Sequence, residues 1–118
     1  MGSPSPYVAI VRRTGRTEKT RHATLDEALD ALERELRVLT TRNRPQTVRA
    51  LGREYEPEAQ VAARGELRGP RRLRAGVDVR GDGAAQAFTG RLVRRPVTPR
   101  DGEDAYSALR RIARAAVG

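Results

Sequence analysis

Two periods of hydrophobic spacing divide the chain. Leu25, Leu29, Leu32, Leu36 and Leu39 recur at intervals of four, three, four and three, which on a 3.6-residue repeat puts them on one stripe. Thr24 and Glu27 stand ahead of that stripe as a Thr-x-x-Glu capping box, each able to satisfy an unpaired backbone N–H. A helix over 24–39 follows, with Asp26, Glu27, Asp30, Glu33, Arg34, Glu35 and Arg37 on its wet faces. Beyond residue 60 the period drops to two. Val61, Ala63, Gly65 and Leu67 alternate with polar or small neighbours, Gly69 and Pro70 supply a turn, and Leu73, Ala75, Val77 and Val79 alternate in the same way. Each run is a strand with one dry face. A second tight turn over 81–83 leads to a third strand over 85–95, with Phe88 and Leu92 on one side, and the three strands form a meander.

The flanks are less regular. Tyr7–Arg13 favours β structure, a turn follows at 14–16, and the polar stretch 17–23 reads as the second arm of a hairpin. Glu18, Lys19 and Arg21 suit an exposed edge protected from pairing with another chain. Residues 40–46 are a polar connector and 47–55 a further strand. A last helix over 103–117 takes Asp101 as N-cap and turns Ala105, Leu109, Ile112 and Ala116 inward with Tyr106; Arg110, Arg111 and Arg114 lie toward the end that the helix dipole favours. A faint repeat relates 7–39 to 84–117, and chance in an Ala- and Arg-rich composition accounts for it equally well. The expected fold is α+β: a disordered segment over 1–6, then one domain over 7–118, a mainly antiparallel sheet of five or six strands with two helices packed on one face.

Composition narrows the function more by exclusion than by motif. With no cysteine and one histidine, His22, the chain offers no thiolate nucleophile, no usual zinc cage and little acid–base chemistry. The serines at 3, 5 and 107 have no base near them in any pattern, and no phosphate-binding glycine loop or carboxylate cluster appears. A non-enzymatic protein is expected, with no catalytic residue, no cofactor and no metal. No apolar run approaches a membrane span or a signal-peptide core, so no membrane contact and a cytoplasmic location are expected. Arg80, Gly81 and Asp82 spell an adhesion tripeptide, but Gly and Asp are what the hairpin turn needs there. Leu, Ile, Val and Phe together make up 23 of 118 residues, a thin core that leaves room for a homodimer.

Charge is the strongest functional signal. The net charge is +9, set by 24 basic and 15 acidic residues, with lysine only at Lys19. The excess is +3 over 58–80 and +3 over 81–100, −3 over 25–39 and 0 over 101–118; strand regions are basic and helices are not. Residues two apart on a strand share a face. Arg64 with Arg68, Arg72 with Arg74 and Arg80, and Arg91 with Arg95 therefore project opposite the apolar positions, where an open array of guanidinium groups would match phosphates. Arg64, Arg68, Arg72, Arg74, Arg91 and Arg95 are the candidate nucleic-acid contacts. Glu66 and Asp78 share their face and could neutralise them by cross-strand pairing. One Phe and three Tyr leave little to stack unpaired bases, which favours duplex DNA or structured RNA. The alternative class is a protein-interaction or homo-oligomerisation module, for which Leu25, Leu29, Leu32 and Leu36 would be the seam, although such a stripe more often packs on its own sheet.

Residues 102–109 (Gly, Glu, Asp, Ala, Tyr, Ser, Ala, Leu), coming after a basic three-strand meander, resemble the end of ribosome hibernation factors over at most residues 58–118. That resemblance implies contact with ribosomal RNA. The chain departs from the family's pattern at Arg110 and in having an extra strand before its first helix.

Overall fold

The computed structural model describes residues 4–42, 61–90 and 93–118. These form six strands and two helices: β1 (Tyr7–Arg13), β2 (Arg16–His22), α1 (Leu25–Arg42), β3 (Val61–Gly69), β4 (Leu73–Arg80), β5 (Ala85–Thr89), β6 (Arg95–Pro96) and α2 (Ala105–Val117). One antiparallel sheet has the order β2-β1-β3-β4-β5-β6. Among the described residues its edge strands are the polar β2, exposed along almost its whole length, and the two-residue β6, where Pro96 offers no N–H to another chain.

Both helices lie on the same side. Ala9 and Val11 of β1, Ala63 and Leu67 of β3, Leu73, Ala75, Val77 and Val79 of β4, and Ala87 of β5 join the inward residues of α1 and α2 in one buried cluster. α1 covers β1 and β3 while α2 covers β4 and β5. Thr24 caps α1, its Oγ1 accepting from the Glu27 N–H at 3.1 Å. The leucine stripe then packs on the sheet, with Leu32 and Leu36 directly over Gly65. A Cβ at Gly65 would stand 2.6 Å from Leu36 Cδ1 and 2.8 Å from Leu32 Cδ1, so glycine there sets how closely the helix approaches.

Several expectations need correction. The third strand of the meander ends at Thr89, not 95, and the chain doubles back so that Arg95 and Pro96 pair with Thr89 and Phe88. The α2 N-cap is Asp104 instead of Asp101, because Asp104 Oδ1 accepts the Ser107 N–H at 2.8 Å. Ala116 is exposed and Ala108 and Ala113 are buried in its place. Val61 is 46% exposed, because a register irregularity between Val61 and Ala63 takes it out of the alternation. Leu29, Leu32 and Leu36 are at most 1% exposed, and Leu25 packs partly buried against the same core. The stripe is thus occupied by the chain's own sheet and leaves no seam for a second copy. The strand expected over 47–55 lies outside the described residues, as does the start of the segment expected to be disordered over 1–6.

Ion pairs between the helices account for the acidic composition of α1. Arg110 Nη2 donates to Asp30 Oδ1 at 2.8 Å and Glu33 Oε1 at 3.1 Å, and Arg114 reaches Asp26 at 3.2 Å. Arg37 bridges Glu33 and Asp104 and lies 4.5 Å from the centre of the Tyr106 ring. The helix layer largely neutralises itself, which leaves the positive excess with the sheet. No helix among the described residues is long and apolar enough to cross a membrane.

Candidate functional site

The strand registers define three rows that run across the side of the sheet away from α1 and α2. The middle row runs Lys19, Ile10, Glu66, Gly76, Phe88, Pro96 from β2 to β6. On one side of it lies Thr17, Arg12, Arg64, Asp78, Gln86, and on the other Arg21, Val8, Arg68, Arg74. Directly opposed residues share a face, so the pairing alone brings basic side chains from four strands onto one surface.

The middle row is the floor of this surface. Ile10 is fully buried and Phe88 is 4% exposed. The Phe88 ring fills the space above Gly76, where a Cβ would meet the ring at 2.6 Å, an arrangement in which an aromatic covers a cross-strand glycine. Guanidinium groups flank that ring: Arg64 stands 5.8 Å and Arg94 5.4 Å from its centre, within cation–π range. Glu66 lies in the same floor with its side chain 10% exposed, and three arginines from the flanking rows converge on it. Arg68 is 3.6 Å away, Arg74 3.7 Å and Arg12 3.9 Å. These distances exceed those of direct hydrogen bonds; Glu66 Oε2 and Arg68 Nε are both buried without a hydrogen-bond partner.

Asp78 is used differently. It lies directly opposite Arg64 and receives a two-pronged pair, Nε to Oδ1 at 2.5 Å and Nη2 to Oδ2 at 3.1 Å. That hydrogen bonding holds the Arg64 guanidinium above its ordinary pKa against the opposing effect of burial. Arg64 is therefore committed within the fold. Among the described residues of these rows and beside the Phe88 ring, Arg12, Lys19, Arg21, Arg68, Arg74 and Arg94 remain, set against the carboxylate of Glu66.

Of the expected contact residues, Arg64, Arg68 and Arg74 come together on this face. Arg72 does not extend the strand array. It occupies the exposed β3–β4 turn, with φ of 59° beside Arg71 at 58°, and the Pro70 carbonyl accepts the Leu73 N–H at 3.1 Å across the pair. Arg95 pairs with Thr89 in the row of Ala75, which belongs to the helix-bearing side. Arg91 lies outside the described residues. Phe88 is also on the side away from α1 and α2, outside the main core cluster.

Four basic residues of the face were not picked out from the sequence. Arg12 follows the uninterrupted run Val8, Ala9, Ile10, Val11, which hides the alternation; Lys19 and Arg21 sit in an arm with no apolar residue to mark its sides. Arg94 reaches the face only because the chain reverses after Thr89. Among the described residues no group of three His, Cys, Asp or Glu could hold a metal ion. No family model, curated protein or solved structure matches this chain.

Proposed function

We propose that this chain is a small non-enzymatic binding domain whose sheet face opposite α1 and α2 contacts the phosphates of nucleic acid, in structured RNA or duplex DNA. The observation that carries the reading is the separation of charge between layers. Acid–base pairs neutralise the helices against each other, whereas the opposite face presents arginine and lysine from β1, β2, β3 and β4 with only Glu66 and Asp78 as counter-charges among the described residues. Guanidinium groups donate in a fork that fits phosphate oxygens. In the row Arg21, Val8, Arg68, Arg74, the outer two lie about 14 Å apart at the ordinary strand spacing, which suits contact along a backbone more than capture of one small anion. Stacking of unpaired bases finds little support, since Phe88, the one aromatic of this face among the described residues, is buried between Arg64 and Arg94.

The test is a double substitution, Arg68→Gln with Arg74→Gln, measured by fluorescence anisotropy on a short labelled duplex. Weakened binding is expected, together with a salt dependence shallower by about two in the slope of log affinity against log salt. Arg114→Gln, on the far side of the helix layer, should leave both unchanged. Equal effects of the two variants would refute the assignment to this face.

A further inference from the structure

Three features that are each unfavourable in isolation meet at one end of the β3–β4 hairpin. Arg68 and Arg74 are paired directly across the strands, where like charges repel. The turn that joins them holds Arg71 and Arg72 at φ of 58° and 59°, a left-handed backbone that Asn and Gly adopt far more readily. Arg68 Nε, a strong donor, is sealed from solvent with no acceptor. Arg68, Gly69, Arg72, Leu73 and Arg74 line a single cleft at that end. Nearby Glu66 offsets only part of the charge, because its carboxylate is also approached by Arg12. Departures from local rules that converge on one spot mark functional positions more often than scattered ones do.

We propose that this cleft is a subsite for a single phosphate group, with Arg68, Arg72 and Arg74 as its donors. A tetrahedral oxyanion seated there relieves the Arg68–Arg74 repulsion and gives the turn a reason to keep arginine at 72. The inference rests on the phosphate-binding reading of the sheet face and adds an anchoring point to it. Phosphate could come from an internal phosphodiester or from a terminal phosphomonoester, and the same three donors serve either.

The test compares Arg72→Gly with Arg71→Gly. Both relieve the same backbone strain, but only Arg72 lines the cleft. Both variants should melt at a higher temperature than the parent chain, while only Arg72→Gly loses affinity for a hairpin duplex RNA, by about tenfold. Titration of the ¹⁵N-labelled full chain with inorganic phosphate should shift the Arg68 Nε–H resonance more than that of Arg12. Repeating the binding with 5′-phosphorylated and 5′-hydroxyl hairpins identifies the source: tighter binding of the former means a terminal phosphate, and equal binding an internal one, the subsite being upheld either way. If the duplex binds but Arg72→Gly and Arg71→Gly behave alike, the subsite is refuted and the face stands. If no duplex binds yet inorganic phosphate still shifts Arg68, the subsite stands and the nucleic-acid reading falls.

Discussion

Substituting Asp78→Asn separates stability from binding, because the two should move in opposite directions. Asp78 holds Arg64 through a fork of two hydrogen bonds, and the side chains are 18% and 27% exposed. A fully exposed pair contributes about 0–1 kcal/mol and breaking a buried one costs about 3–5 kcal/mol. This partly exposed pair falls between, at about 1–2 kcal/mol, and Asn keeps one acceptor for Arg64. The same change frees a guanidinium on a face that already carries a positive excess. One more cation near a phosphate at the solvent boundary is worth ~1 kcal/mol, roughly fivefold in affinity, and the salt slope should steepen by about 0.9. Urea denaturation followed by circular dichroism gives the first quantity. Anisotropy of a labelled duplex across a salt series gives the second. Asp82→Asn is the control, since it changes net charge equally from the exposed β4–β5 turn, where the carboxylate accepts the Ala84 N–H. Unchanged or weaker binding by Asp78→Asn, or an equal gain from Asp82→Asn, would refute the reasoning.

Other consequences are open to simpler tests. Gly65→Ala pushes a methyl group into Leu32 and Leu36 and should lower stability by about 1–3 kcal/mol, read by urea melts, with no change in duplex affinity per folded molecule. On acidification, Glu103 and Asp104 should produce a loss of stability. A hydrogen bond from Arg111, then one from the Arg100 N–H, lowers the Glu103 pKa, and the Ser107 N–H chiefly lowers that of Asp104. The unfolded chain therefore takes up protons first, so this contribution is complete above the ordinary carboxylate pKa of about 4 and disappears as pH falls through the lower folded values. Glu103→Gln with Asp104→Asn should flatten the acid limb of a stability–pH curve. A double-mutant cycle of Arg110→Ala and Glu33→Ala, each side chain about a quarter exposed, should give a coupling below about 1 kcal/mol.

The parts of the fold that were readable are those where one residue type repeats against a contrasting background. The five leucines of α1 and the alternation of β3 and β4 specify both an element and its buried side, and Thr24 marks where the helix begins. Legibility fails where burial depends on pairing. Phe88 looks like a core residue by type, and its burial on the opposite side becomes visible only once Gly76 is known to lie across from it. Asp101 and Asp104 are chemically alike as caps, and only the Ser107 N–H distinguishes them. The site was half readable for the same reason. Arg64, Arg68 and Arg74 lie within alternating strands, whereas Lys19 and Arg21 acquire a side only through their pairing with Ile10 and Val8.

The central claim is that the sheet face opposite α1 and α2 is a polyanion-binding surface, and the salt dependence of duplex binding tests it most directly. Arg12, Lys19, Arg21, Arg68, Arg74 and Arg94, less the one charge of Glu66, leave about five cations to meet phosphates. Log affinity for duplex DNA should then fall against log salt with a slope of about −4 to −5. No binding at about 50 mM salt, or a slope near zero, would contradict the claim.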